Sequence, residues 1–238
     1  MKAKKINGKQ KGSKFERDVA KKLSLYLTDG KDDSTIWRSI SSGAFATNRK
    51  KKGITTQHNV GDLSSTSEES KLFLSLFNIE CKSYKKIDMY NLLTDSCILV
   101  DWYKKIYQDG LFNDINEPHN KVPLVIFKQD FKPVLCMTSS VGFDYLSYYK
   151  NRLDEDDGEW TDNYEYIQYI NKYIEYNLEI EPDKIENITI FKFDDLFNLP
   201  YNNINENLLL LQKSLINIKT YQKRLEGIKD EEKNKCGE

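Results

Sequence analysis

Apolar residues recur at four-residue steps from Phe15 through Val19 and Leu23 to Leu27, the spacing of one buried helix face that ends near Asp29-Gly30. Ser13-Lys14-Phe15-Glu16 has the S-x-x-E form of a capping box, with Ser13 as N-cap and Glu16 at the third helical position. The period then changes. Ile36 to Ile40 reads as a strand, Gln57 to Leu63 as a second, and Leu72 to Tyr84 as a third, with a polar, turn-like Ser64 to Lys71 between the last two. Asp88 is the expected cap of a second helix that buries Met89, Leu92, Leu93, Val100, Tyr103 and Tyr107 and ends at Gly110. Lys121 to Lys128 and Pro133 to Met137 are expected as a hairpin of buried strands around Gln129-Asp130.

Beyond Thr138 the character shifts. An acidic loop at 154–159 precedes Tyr164 to Leu178, which reads as a tyrosine-rich helix with Ile167, Ile170 and Ile174 on one side. Asn187 to Phe193 reads as a short strand and Asn205 to about Lys229 as a long helix. Leu208, Leu211, Leu215, Ile218 and Leu225 approach a heptad for fewer than three repeats, so packing back on the domain is favoured over a coiled coil. The organisation expected is a basic flexible arm at 1–12, a core at 13–137, and a mostly helical extension at 138–238 that packs on the core.

Composition narrows the function classes. No run of apolar residues reaches membrane-spanning length and no signal peptide is recognisable, which predicts an intracellular, cytoplasmic protein without a membrane partner. Cys81, Cys97, Cys136 and Cys236 are scattered with no C-x-x-C, and His58 and His119 add no ligand spacing, so neither a zinc site nor a disulfide framework is indicated. A formal charge of −1 conceals an asymmetry: residues 1–86 hold 19 Lys+Arg against 9 Asp+Glu. That excess points to a polyanion partner for the first part of the chain, although a basic half that merely neutralises an acidic one accounts for it too. Arg49, Lys50, Lys51 and Lys52 form a basic loop suited to phosphates, and a solvated loop is the ordinary alternative.

The candidate chemistry lies in Gly61-Asp62-Leu63 and Ile79-Glu80-Cys81-Lys82. On a strand Glu80 and Lys82 share a face and Cys81 points the other way, so its thiol is expected in the core. If the two strands pair, Asp62 comes beside Glu80. Two adjacent carboxylates repel unless a cation lies between them, and hard oxygen donors favour Mg²⁺, with Mn²⁺ as a substitute. Lys82 adds a positive charge for a phosphate oxygen or an attacking water, which together is equipment for phosphodiester hydrolysis. Taken singly, an Asp at a turn and a Glu-x-Lys on a strand face are common surface features.

Lys11-Gly12-Ser13-Lys14-Phe15-Glu16-Arg17, Trp37-Arg38-Ser39 with Ser42-Gly43-Ala44, Gly61-Asp62-Leu63 and Ile79-Glu80-Cys81-Lys82, in that order, resemble the PD-(D/E)XK nuclease superfamily. The nearest likeness is to its archaeal and phage Holliday-junction-resolvase-like branch, over residues 11–137. The resemblance implies an α/β fold of mixed α+β type: a restriction-endonuclease-like core with a central mixed β-sheet flanked by helices, here with a helical C-terminal extension. It implies Asp62 and Glu80 as metal ligands, with the backbone carbonyl of Cys81 as a further one. Lys82 would position the nucleophile, and Glu16 would be an acid at the edge of the site, an alternative to its capping role. Arg38, Ser41 and Ser42 would touch the DNA backbone, and Lys85 stands with them as a candidate DNA contact. Gly61 replaces the proline of the superfamily's name.

The activity implied is that of a Mg²⁺-dependent endodeoxyribonuclease, possible substrates including Holliday junctions and other branched DNA, acting as a homodimer. A restriction or repair endonuclease on linear DNA is the nearer alternative. A non-catalytic DNA-binding or phage structural module is the more distant one, and the intact Asp-Glu-Lys set argues against it. Abundant Asn, Lys, Ile and Tyr suit an AT-rich phage or bacterial source.

Overall fold

The computed structural model describes residues 8–39, 61–94, 96–111, 120–152, 164–182 and 184–235. The elements in chain order are α1 (Gly8–Leu27), β1 (Ile36–Arg38), β2 (Leu63–Ser65), α2 (Glu68–Leu76), β3 (Phe77–Tyr84), a 3₁₀ segment (Met89–Thr94) and α3 (Ile98–Leu111). There follow β4 (Val122–Gln129), β5 (Val134–Ser139), α4 (Ser140–Ser147), β6 (Tyr148–Arg152), β7 (Tyr164–Gln168), β8 (Tyr173–Glu181), β9 (Lys184–Lys192), a second 3₁₀ segment (Phe193–Asn198) and α5 (Tyr201–Lys235).

The central sheet runs β3-β4-β5-β9-β8. β3 and β4 are parallel, joined through α3, and every other neighbouring pair in the sheet is antiparallel. β4 is apolar almost throughout because it is covered on both faces. Strand alternation divides its side chains: Leu124 and Ile126 join the core under α1, α2, α4 and α5, whereas Val125 and Phe127 join the core under α3. The mixed sheet flanked by helices, with a C-terminal helix, is the restriction-endonuclease-like architecture expected from the sequence.

Several local expectations are corrected. Gly8, the first described residue, is already in α1, so Ser13 lies inside the helix and caps nothing. Lys9, Gln10 and Lys11 are good helix formers, and an existing helix extends through such residues more readily than it starts anew. Residues 72–76 are helix, not strand: Phe73, Leu74 and Leu76 are buried in α2, and Glu68 and Glu69 complement its N-terminal dipole. An apolar run this short does not declare its period. The second helix is split, with Asp88 accepting from the Tyr90 backbone N–H ahead of the 3₁₀ segment and α3 beginning only at Ile98.

Tyr164 to Leu178 supplies β7 and most of β8 instead of a helix. Its tyrosines and isoleucines suit a pleated surface, and Ile174 is exposed while Ile170 is buried between strands. β8 and β9 then join the same sheet as β3, β4 and β5. α4, capped by the Ser139 hydroxyl accepting from the Gly142 N–H, lies in a stretch to which the apolar pattern assigns no element. The β4–β5 hairpin and the Asn187–Phe193 strand lie where expected, and Leu208 and Leu211 of α5 are buried.

Candidate functional site

β3 is an edge strand of the central sheet, so one row of its backbone groups is free of β4. β2 does not fill that edge; it pairs antiparallel with β1. The Gly61-Asp62 segment that precedes β2 does. The Asp62 backbone N–H donates to the Ile79 carbonyl (2.8 Å), and the Cys81 backbone N–H donates to Asp62 Oδ2 (2.7 Å). The Asp62 carbonyl in turn accepts from the Ser39 backbone N–H (2.7 Å), tying the end of β1 to the same point. Asp62 thus comes beside Glu80, by a route other than the strand pairing expected.

Gly61 makes this approach possible. Its φ is +95°, and a Cβ there would lie 2.5 Å from the Ile79 carbonyl oxygen and 2.9 Å from Asn78 Oδ1. Proline, fixed near φ −65°, could not adopt this backbone. The departure from the superfamily's proline therefore has a local cause: here the segment must turn through the left-handed region to bring Asp62 against β3.

On β3, Glu80 and Lys82 are half-buried on the face toward α3 and Cys81 is buried on the other, as the alternation requires. Lys82 Nζ and Glu80 Oε1 form an ion pair. α3 is pinned over this face by Asn78, whose side-chain amide donates to the Ile106 carbonyl (3.1 Å). The neighbouring turn of α3 then brings Lys105 Nζ to 3.9 Å from Glu80 Oε1. Lys105 has no signal in the sequence, where it is one of two adjacent lysines on the polar side of a helix. From α1, Glu16 ion-pairs with the Arg38 guanidinium, so the two residues expected at the rim hold one another.

The electrostatics are those of crowded negative charge. Burial pushes the Asp62 carboxyl up to about 7, the Glu80 and Glu16 charges push the same way, and the Cys81 N–H and Lys82 oppose them. Burial works against the Lys82 ammonium, but Glu80 and then Asp62 outweigh it and hold the lysine above its usual value. The Cys81 thiol is pushed well above its ordinary range, by burial first and then by the surrounding carboxylates. It is a packing group and not a nucleophile.

Among the described residues, no cluster of three or more His, Cys, Asp or Glu side chains is arranged to hold a metal ion. Asp62, Glu80, Lys82 and Glu16 are brought to one region, and Lys85 is exposed just past the end of β3. Ser41, Ser42, Arg49, Lys50, Lys51 and Lys52 lie outside the described residues. No helix of the described residues is long and apolar enough to cross a membrane.

A mixed sheet flanked by helices, with Asp62 closed onto the strand that carries Glu80 and Lys82, defines the class: a PD-(D/E)XK, restriction-endonuclease-like protein. The family described as "Phage putative PDDEXK endonuclease" matches residues 7–206. The chain belongs to that family, and the match covers all five strands of the central sheet, β8 and β9 included, and runs into α5. No curated protein and no solved structure matches the chain.

Proposed function

We propose that the protein is a divalent-metal-dependent endodeoxyribonuclease whose site is built from Asp62, Glu80 and Lys82. The observation that carries this reading is the 2.7 Å hydrogen bond from the Cys81 N–H to Asp62 Oδ2, which holds a second carboxylate beside Glu80 at a sheet edge. The donor set fits a hard cation. Asp62 is pushed up to about 7 by burial and by Glu80, a conflict that a proton or a cation relieves.

Asp62 and Glu80 would hold Mg²⁺ or Mn²⁺. In a strand, a residue's carbonyl points to the same edge as its N–H, so the Cys81 carbonyl is available at that edge as well. When bound, such a cation supplies Lewis acidity toward a phosphoryl oxygen and lowers the pKa of an attacking water.

The chain's own groups do the rest. The Lys82 ammonium, oriented by Glu80, donates to a phosphoryl oxygen as charge builds on it during attack of water at phosphorus and loss of the leaving oxygen. Lys105, on the α3 side of Glu80, gives a second positive charge for the phosphate. Arg38 keeps Glu16 at the rim, where it can take a proton through water. Branched DNA is the leading substrate, supported by the resemblance to resolvases in the K-G-S-x-x-E, G-D and E-x-K motifs. Two opposed cuts in such a substrate require two sites, which a homodimer supplies. Exposed Leu209, Leu210, Ile218 and Tyr221 on α5 suit that association. A phage protein of this kind would act inside the host cell.

The test is cleavage of a four-way junction beside linear duplex and single-stranded DNA, with Mg²⁺ and with EDTA. Cleavage that requires Mg²⁺ and disappears in Asp62→Asn is the expected result. Cleavage unaffected by both EDTA and Asp62→Asn overturns the reading.

A further inference from the structure

At the tip of the β4–β5 hairpin, Phe131 has a relative exposure of 102% and a φ of +61°, a backbone region that phenylalanine rarely occupies. Such a residue neither fills a core nor suits its turn. The turn around it is nonetheless firmly held. The Asp130 backbone N–H donates to the Tyr84 carbonyl (3.1 Å) and the Lys132 N–H to the Gln129 carbonyl (3.2 Å). Gln129 Oε1 accepts from the Ile87 N–H (3.1 Å), and Asp130 ion-pairs with Lys11 of α1. The aromatic ring is presented to solvent on a fixed mount.

The mount lies in line with the candidate site. Lys82 of β3 pairs in register with Phe127 of β4, and Tyr84 with Gln129, one residue before the turn. Glu80 is therefore about four strand residues from the turn, on the order of 13 Å, or roughly four base-pair rises of DNA. The surroundings are basic: Lys85, Lys86 and Lys132 are exposed, Lys128 is half-buried, and Lys11 offsets the charge of Asp130. Asp88 is the exposed acid nearby in sequence. A second aromatic, Tyr90, is 84% exposed three residues past Ile87.

We propose that Phe131 is a base-stacking wedge. Its ring takes an unstacked nucleobase of the DNA strand about four nucleotides from the scissile phosphate, while the flanking lysines hold the backbone. Exposed aromatics flanked by positive charge stack bases without reading sequence, and apolar side chains inserted at a base step require that step to open. The wedge favours DNA that is already branched, flapped or unpaired over continuous duplex. This inference rests on the nuclease reading for its substrate.

The experiment measures binding of the full chain to a flapped duplex with Ca²⁺ in place of Mg²⁺, using 2-aminopurine placed at successive positions along the strand. Wild-type protein is expected to alter 2-aminopurine fluorescence at one position near the fourth nucleotide from the cut. Phe131→Ala should lose that signal and bind roughly five- to 150-fold more weakly. Phe131→Trp should restore both. Phe131→Gly, which suits the positive φ, should melt no lower than wild type and still fail to give the signal, which separates stacking from folding.

Wild-type affinity and an unchanged 2-aminopurine profile in Phe131→Ala overturn the wedge. Loss of binding in Phe131→Trp as severe as in Phe131→Ala does the same. Because binding is read without cleavage, failure of the wedge is distinct from failure of the nuclease reading, which the Mg²⁺ and Asp62→Asn assay decides on its own.

Discussion

Asp62 and Cys81 meet across the free edge of β3: the Cys81 backbone N–H donates to Asp62 Oδ2 at 2.7 Å. A backbone donor that holds one carboxylate oxygen leaves the other for different work. It also fixes Asp62 relative to Glu80 and Lys82, the two residues that flank Cys81. In the proposed nuclease the three would work as one unit and not as three independent groups.

That unity predicts non-additive kinetics. Asp62→Asn, Glu80→Gln and Lys82→Ala should each remove nearly all cleavage, and the double and triple variants should be little worse than the singles. Lys105→Ala should cost about tenfold in kcat/KM, the loss of one charged phosphate contact. Single-turnover cleavage with circular dichroism as a folding control measures all of these, and robust activity in the Asp62→Asn, Glu80→Gln double variant contradicts the unit.

Gly61 should be intolerant of any side chain. Gly61→Ala meets both the +95° φ and a Cβ 2.5 Å from the Ile79 carbonyl oxygen, so a loss on the order of 2–4 kcal/mol is expected in urea denaturation. Restoring the superfamily's proline with Gly61→Pro should be at least as damaging. Substitution at Gly30, where a Cβ meets nothing within 4 Å, should be milder despite its φ of +76°.

Stability without divalent ions should fall as pH rises. The folded pKa of Asp62, about 7, lies above its unfolded value of 3.8, so between them the folded state binds the proton more tightly than the unfolded chain. The unfavourable contribution is absent below about pH 4, grows through the interval, and is complete above pH 7. Melting temperatures from pH 4.5 to 8 should show this decline. It should be shallower in Asp62→Asn and in the presence of Mg²⁺, and parallel curves for wild type and Asp62→Asn would assign the slope to other groups.

The basic run gives a salt-dependence test. Replacing Arg49, Lys50, Lys51 and Lys52 by alanine should make the slope of log K against log salt shallower by up to about 3.6, at about 0.9 per phosphate contact. Thermal stability should move by less than about 0.5 kcal/mol. An unchanged slope in Ca²⁺-containing buffer would mark the run as a solvated loop and move the phosphate contacts to the N-terminal lysines and Arg38.

What the sequence determined by itself is what local geometry governs. The stripe of Phe15, Val19, Leu23 and Leu27 required a buried helix face, and the period of two along β3 placed Glu80 and Lys82 together with Cys81 opposite. The β4–β5 hairpin and the order of the motifs were legible for the same reason. Where local signals were ambiguous, partners distant in the chain decided. Residues 72–76 became helix because their apolar side chains pack under the sheet, and Tyr173 to Leu178 became strand because β9 was there to pair with it.

The site depended on the same long-range closure. The left-handed turn at Gly61 brings Asp62 onto β3, Asn78 pins α3 so that Lys105 reaches Glu80, and Arg38 holds Glu16. None of these contacts has a sequence period, because each joins groups whose separation is set by the packing of whole elements and not by the repeat of any one of them. Carboxylate crowding is likewise a tertiary property: Asp62 moves to about 7 because the fold takes it out of water beside other negative charges.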